Sequence, residues 1–140
     1  MAIYSKSTQY AVNMLSHIAQ LGEKKPSTVH DVSMATEISE PTVAKTLQVL
    51  VKEGILSSKK GPGGGFYLAS SPDVVTLGSI LMAIEGKEPF GECIAGLESC
   101  NEENVCPLHD KWKIVKQELI DFLESTTLRD MASAVKNLEK

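Results

Sequence analysis

Apolar residues recur at helical spacing in two segments at the start of the chain. The first segment spans about residues 5–21 and stops near Gly22, a residue type that often ends helices. In the second segment, Thr28 and Asp31 have the spacing of a capping box, and the helix that they open is expected to reach about Thr36. The pattern therefore predicts two amphipathic helices at the start of the chain.

A third helix is predicted after a short polar turn. Ser39 is a residue type that favours the position before the first helical turn, and the apolar face that follows ends at Gly54. The opposite face carries Thr42, Lys45 and Gln48. Two short, tightly joined helices, the second with a polar outer face, are typical of a helix-turn-helix, although an ordinary helical hairpin fits the same pattern.

Two short strands are predicted next, at residues 55–58 and 66–69, and the sequence KKGPGGG lies between them. A β-ribbon appended to a helix-turn-helix is a wing, whose glycines let the backbone approach phosphates or enter a narrow groove. A nucleotide-binding loop is the alternative, but no helix begins after these glycines, as such a loop requires. The predicted DNA contacts are Thr42, Lys45, Gln48, Lys59, Lys60, Gly63 and Gly64.

A break at Ser71-Pro72 divides the chain, so we expect a DNA-binding domain at residues 1–72 and a second region at 73–140. The second region is predicted to hold a helix between Thr76 and Gly86, a long helix, and a final helix. The long helix has apolar residues at alternating steps of four and three, which lets one helix pack along another, although core packing explains the spacing as well. These residues are Leu108, Trp112, Val115, Leu119 and Phe122.

Charge is divided unevenly between the two halves of the chain, whose net charge is −4. Residues 1–70 carry seven lysines and five acidic residues, whereas residues 71–140 carry seven basic and thirteen acidic residues. The slightly basic first half fits a nucleic-acid partner without establishing one. No apolar run is long enough to cross a bilayer and no signal core is visible, so we expect a cytoplasmic protein without a membrane partner.

The candidate chemistry lies in the second region, where all three cysteines fall within fourteen residues. Cys93, Cys100 and Cys106 are followed by His109 in a polar segment that has neither helical nor strand periodicity. An odd number of cysteines cannot pair completely within one chain, and thiolates suit iron–sulfur centres or zinc. Structural zinc sites favour shorter spacings, so an iron–sulfur centre is the preferred interpretation. Zinc and redox-active free thiols stay open as alternatives.

Three segments carry a resemblance to a known family: residues 7–12 of the first helix, residues 60–68 of the wing, and the end of the cysteine segment at 106–109. In these segments the chain resembles the Rrf-type winged helix-turn-helix transcriptional regulators, which include the IscR- and NsrR-like iron–sulfur cluster regulators. The resemblance implies a homodimeric transcription factor that binds a double-stranded DNA operator and takes no small-molecule substrate. The implied fold is mainly α with a small β wing: a winged helix-turn-helix plus a long C-terminal dimerisation helix.

The resemblance also implies the cluster ligands. IscR-like members hold a 2Fe–2S cluster with three cysteines and a histidine, which gives that role to Cys93, Cys100, Cys106 and His109. NsrR-like members hold a 4Fe–4S cluster and use an aspartate of the first helix, where this chain has Gln9, a poor iron ligand. A 2Fe–2S cluster is therefore favoured over a 4Fe–4S cluster. Two departures from the family pattern are a first cysteine interval of six residues instead of five and a recognition helix without the acidic residue of IscR-like members.

The cluster is expected to change how the dimerisation helices of the two protomers pack against each other. That change would alter the distance between the two recognition helices. Iron supply, nitric oxide and redox state are all compatible signals. A metal-free thiol-based redox regulator and a zinc-stabilised structural adaptor are the alternatives. An enzyme is not expected, because no nucleophile–base or paired-carboxylate motif is visible. His17 is expected to pack within the first helix, and His30 to be a solvated first-turn residue.

Overall fold

The computed structural model describes residues 5–22, 24–86 and 108–138, with side chains described through residue 134. Within these ranges the chain forms six α-helices and two antiparallel strands, so the prediction of a mainly helical fold with a small sheet is confirmed. The elements are α1 (Lys6–Gln20), α2 (Val29–Thr36), α3 (Glu40–Lys52), β1 (Leu56–Lys59), β2 (Gly65–Leu68), α4 (Leu77–Glu85), α5 (His109–Ser125) and α6 (Leu128–Leu138).

Threonine side chains cap the starts of three helices, α2, α4 and α6. At α2, the Thr28 hydroxyl accepts a hydrogen bond from the Asp31 N–H at 3.1 Å, and the Asp31 carboxylate accepts one from the Thr28 N–H at 3.4 Å. At α4, the same reciprocal arrangement joins Thr76 and Ser79, with both bonds at 3.1 Å. Both predicted helix starts are therefore confirmed, and Gly86 ends α4 with a positive φ of 71°.

The hydrophobic core forms around α1, whose Met14, Leu15 and Ile18 are almost completely excluded from solvent. Helices α2, α3, α4 and α6 contribute side chains to the same cluster. Burying one leucine-sized side chain contributes about 1.5–3 kcal/mol, so this shared core is what holds the helices together. The buried members from the other helices are Val32, Val43, Leu47, Leu50, Ile80 and Leu128.

The backbone ties the segment before α4 to the segment before α6. The Leu77 N–H donates to the Thr126 carbonyl at 2.9 Å, and the Leu128 N–H donates to the Val75 carbonyl at 2.7 Å. Helix α6 also lies against α1. The second region thus packs directly on the first, and the division of the chain at residue 72 stays a prediction.

An isolated β-bridge connects the segment before α2 to strand β2. Ser27 exchanges two backbone hydrogen bonds with Phe66 of β2, at 2.9 and 2.8 Å. Beside this bridge, Gly65 has a φ of +146°, and a Cβ at that position would lie 2.6 Å from the Ser27 carbonyl oxygen. Glycine is therefore required for the close approach that anchors the strand pair to the segment before α2. The sequence pattern does not predict this bridge.

Candidate nucleic-acid interface

Helix α3 presents the polar face that the sequence assigns to DNA. Its Leu47 and Leu50 are fully buried in the core, whereas Lys45 and Gln48 are exposed on the other side. Thr42 is half-buried at the edge of that face. The three side chains predicted to contact bases therefore lie on or beside the solvent side of α3, where a duplex can reach them.

Local hydrogen bonds fix the turn between α2 and α3. Helix α2 ends at Glu37, which has left-handed backbone angles with a φ of 59°. The Ser33 hydroxyl donates to the carbonyl of the buried Ile38 at 2.5 Å. Ser39 occupies the predicted N-cap position of α3, but its hydroxyl donates to the Thr42 hydroxyl at 2.9 Å and makes no capping bond to the backbone. The direction of α3 is thus set by the turn.

The strand pair carries the two predicted wing lysines. Lys59 ends β1 and Lys60 follows it, and both side chains are exposed. At the tip, the Gly64 N–H donates to the Gly61 carbonyl at 2.9 Å, and a Cβ on Gly64 would overlap the carbonyl oxygen of Lys59. Gly63 is exposed beside them. The result is a compact tip that has positive charge and, between the lysines and β2, only glycines and Pro62.

A side-chain hydrogen bond that the sequence pattern does not predict joins the two helices of the motif. The Nδ1 of His30, the second residue of α2, lies 2.8 Å from Oε1 of Glu40, the first residue of α3. These side chains are 72% and 54% exposed, respectively. His30 is therefore solvated, as expected, but it also has a partner. Many sequences have a histidine in one helix and an acidic residue at the start of the next. That combination alone does not identify a contact between the two side chains.

Of the four predicted cluster ligands, His109 lies in the part of the chain that the structure describes, and Cys93, Cys100 and Cys106 lie outside it. His109 is the first residue of α5 and is 6% exposed. Among the described residues, no three His, Cys, Asp or Glu side chains are grouped so that they could hold a metal ion. The ligand set therefore stays a prediction.

Helix α5 keeps a row of apolar side chains in solvent. It is attached through Leu123, which is buried beside Gly78 of α4. Trp112 and Leu119, two members of the predicted heptad row, are half-buried. The described part of the chain therefore leaves this row partly open. The most exposed apolar side chains here are Leu108, Ile114, Val115 and Phe122.

Two carboxyl groups near the start of α6 have shifted pKa values. A hydrogen bond from the Arg129 side chain lowers the pKa of Asp73, and the charge of Arg129 acts in the same direction. Hydrogen bonds from the backbone and hydroxyl of Thr127 lower the pKa of Asp130. The Asp130 N–H in turn donates to the Thr127 hydroxyl at 3.2 Å, so Thr127 caps the start of α6.

Comparison with known proteins agrees with this arrangement of α2, α3 and the strand pair. The family model described as "Rrf2: Iron-dependent Transcriptional regulator" matches residues 4–134. The chain belongs to the Rrf2 family. An HTH-type transcriptional regulator of Aquifex aeolicus is 32% identical over 131 residues, which cover 92% of this chain and 90% of that protein. The HTH-type transcriptional regulator IscR of Erwinia tasmaniensis is 28% identical over 125 residues, which cover 89% of this chain and 75% of that protein.

The Rrf2 assignment extends to the fold. The structure of CymR, the global cysteine regulator of B. subtilis, matches with a TM-score of 0.80 and 25% identity over 96% of this chain and 98% of that one. The predicted winged helix-turn-helix is therefore confirmed. This Rrf2 protein is a DNA-binding transcriptional regulator and not an enzyme. Among the helices that the structure describes, none has the length and apolarity needed to span a membrane.

Proposed function

We propose that this Rrf2 regulator binds operator DNA as a cytoplasmic homodimer and senses iron, redox state or nitric oxide through an iron–sulfur cluster. Cys93, Cys100, Cys106 and His109 are the proposed ligands, and a 2Fe–2S cluster is favoured over a 4Fe–4S cluster. The observation that carries the proposal is that the three-cysteine segment leads directly into α5 through His109, which is 6% exposed.

The DNA part of the proposal rests on two surfaces of the first half. Lys45 and Gln48 project from the exposed side of α3, and lysine and glutamine recognise guanine and adenine edges in the major groove. The exposed Lys59 and Lys60 supply charge for phosphates or a narrow minor groove. Helix α3 would thus read bases while the wing holds the backbone. Thr42, Gly63 and Gly64 complete the proposed contact surface.

The exposed row of α5 supports dimerisation. Apolar surface left in water costs about 25 cal/mol per Å², and a second α5 packed along Val115 and Phe122 would remove it from water. The half-sites of a helix-turn-helix dimer lie about 34 Å apart, one turn of the duplex. The seating of the two α5 helices would therefore determine whether the two α3 helices match the operator.

The donor set suits an iron–sulfur cluster. Three thiolates and one imidazole supply the four terminal ligands of a two-iron cluster. His109 lies at the first position of α5, so the helix fixes its backbone, and burial restricts its side chain. A ligand held in this way loses little conformational freedom on binding. When bound, the cluster would supply charge that depends on its redox state, at the point where the cysteine segment meets α5.

The cluster is tested by purification without oxygen, followed by visible absorption and assays of iron and acid-labile sulfide. We expect coloured wild-type protein, bleached Cys93→Ala protein and a changed spectrum in His109→Ala. His17→Gln is the matched histidine control and should keep the wild-type spectrum. Colourless protein with stoichiometric zinc would support the structural adaptor. Metal-free protein whose DNA affinity changes on thiol oxidation would support the thiol-based regulator.

The wing is tested by the double variant Lys59→Ala/Lys60→Ala. Each phosphate contact adds about 0.9 to the slope of log affinity against log salt, so we expect weaker duplex binding and a slope smaller by about 1.8 per protomer. Lys24→Ala/Lys25→Ala removes the same charge; Lys24 lies beside residues 68–72 at the base of β2. That control should retain the wild-type slope. Equal slopes in both double variants would reject the wing assignment.

A further inference from the structure

The hydrogen-bonded side chains of His30 and Glu40 lie in the first turns of the two helices of the helix-turn-helix. In this motif the first helix crosses the DNA backbone, and the N-terminal residues of the second helix enter the major groove. His30 lies in the first turn of α2, and Glu40 is the first residue of α3. Both side chains are more than half exposed. A duplex docked in this way would place its backbone beside the imidazole.

Stability does not explain this pair well. Exposed ion pairs typically contribute less than about 1 kcal/mol, because water screens them and the side chains lose freedom. The start of α2 is already capped by Thr28 and Asp31, so His30 is not needed there. The start of α3 is held by the turn and by the Ser39–Thr42 hydrogen bond. The pair is thus available for contact with a partner.

The chemistry of the ring points to a phosphate. Glu40 engages Nδ1 of His30, which leaves Nε2 directed away from the carboxylate. In a neutral ring whose Nδ1 carries the proton, Nε2 is a hydrogen-bond acceptor. It cannot form a hydrogen bond with a phosphate oxygen, because that oxygen is also an acceptor. When the ring takes up a proton from solvent, Nε2 becomes a donor, and the deprotonated phosphate can accept from it.

The charges around His30 explain why protonation of its ring would favour DNA binding. Glu40 of α3 lies 2.8 Å from His30, and Asp31 follows His30 in α2; both are carboxylates. With a neutral imidazole, these two negative charges would face the phosphates alone. A protonated ring offsets one of them and adds a charge-assisted hydrogen bond, so binding to DNA and binding of a proton would favour each other.

We propose that His30 is a phosphate-contacting residue of this regulator, that Glu40 is the positioning residue that orients it, and that each protomer takes up one proton at His30 when it binds DNA. This inference rests on the proposed binding of operator DNA by α2, α3 and the wing. It adds a contact outside the recognition helix and the wing, and makes operator affinity rise as pH falls towards 6.

The test measures affinity for a duplex that the wild-type protein has selected from a random pool, at fixed salt, between pH 6 and pH 8. We expect wild-type affinity to be about two- to fivefold higher per protomer at pH 6, the range of one exposed ionic contact. His30→Gln should bind with the lower affinity at both pH values. His30→Arg, which stays charged, should bind with the higher affinity at both. Glu40→Gln should reduce the pH dependence.

His17→Gln is the matched control, since it removes a histidine of α1 that lies outside the motif, and it should keep the wild-type pH profile. A wild-type protein that binds duplex through its wing lysines but has the same profile as His30→Gln would overturn this inference and leave the proposed function intact. Failure to select any duplex would remove both. A loss of affinity in His30→Gln that is equal at pH 6 and pH 8 would also count against proton uptake.

Discussion

Helices α3 and α5 are both amphipathic, but the rest of the chain covers them to very different extents. In α3, Leu47 and Leu50 are fully buried, and only the polar side faces solvent. In α5, Leu123 is buried, but Phe122 is 49% and Ile114 64% exposed. The winged helix-turn-helix is therefore packed around its own core, whereas the described residues leave part of the apolar surface of α5 exposed.

This difference fits the two tasks that we propose for these helices. A recognition helix must be held rigidly so that its outer side chains match a groove, and the core around α1 provides that support. A helix that sets the distance between two recognition helices must contact another chain, and its apolar side chains have to remain available. We therefore expect changes in α3 to affect folding, and changes on the outer face of α5 to affect association.

The sharpest test of the first half is Leu47→Ala. Removing most of a fully buried leucine side chain leaves a cavity, so we expect the free energy of unfolding to fall by about 2–5 kcal/mol. Urea titration followed by circular dichroism measures the change, at one fixed protein concentration. Gln48→Ala is the control, because Gln48 is the next residue and its side chain is exposed. It should change the free energy of unfolding by less than about 0.5 kcal/mol. Similar losses in both variants would mean that α3 is not held by its apolar side.

The wing depends on Gly65, and Gly65→Ala should lower the free energy of unfolding by about 1–3 kcal/mol. The added Cβ would lie 2.6 Å from the Ser27 carbonyl oxygen, so the bridge to Phe66 has to open. The same urea titration measures this change. Gly63→Ala provides the comparison, because a Cβ there meets no atom within 4 Å and only the positive φ of 75° is strained. An equal loss in the two variants would show that the bridge contributes nothing.

On α5, Phe122→Ser should weaken self-association by about 1–2 kcal/mol, or roughly five- to thirtyfold in the dissociation constant. The polar side chain removes apolar area that a partner helix would bury, and sedimentation equilibrium measures the result. Met34→Ser is the control, since Met34 of α2 is 69% exposed and lies outside the α5 row. If Phe122→Ser associates as tightly as the wild type, the outer face of α5 is not the dimer interface.

The smallest expected effect concerns the ion pair between Asp73 and Arg129. The pKa of Asp73 is lowered in the folded protein, so its stabilising effect is present above the unfolded value of about 3.9 and is lost as pH falls through the folded value. Asp73→Asn should therefore lower the urea midpoint slightly at pH 7, and the difference from wild type should disappear towards pH 2. Asp121→Asn on α5 also removes an exposed negative charge and serves as the control. A difference that grows in acid would contradict this explanation.

Much of the fold could be predicted because the relevant signals are local. Thr28 and Thr76 mark helix starts, since a capping box is formed by residues three positions apart. Gly86 marks a helix end, because glycine adopts left-handed backbone angles without strain. The three-helix pattern and the glycine-rich hairpin were sufficient to indicate a winged helix-turn-helix.

Features that depend on distant residues were not predictable in the same way. The bridge between Ser27 and Phe66 is a single pair and leaves no periodic pattern. The pairing of His30 with Glu40 depends on the angle between α2 and α3, which the sequence does not state. The proposed partner of the α5 row is a second copy of the chain, which a single sequence cannot show. The proposed ligands Cys93, Cys100 and Cys106 rest on spacing and resemblance, since they lie outside the described residues.

The closed tip of the wing has a consequence for the thermodynamics of operator recognition. Gly64 is already hydrogen-bonded to Gly61, and Gly65 is already fixed against Ser27, before any duplex is present. Ordering one backbone residue costs about 1–2 kcal/mol, and for these residues that loss of entropy occurs when the chain folds. Insertion of the hairpin should then require little rearrangement, so the association rate would be governed mainly by charge and diffusion rather than by a search among loop conformations.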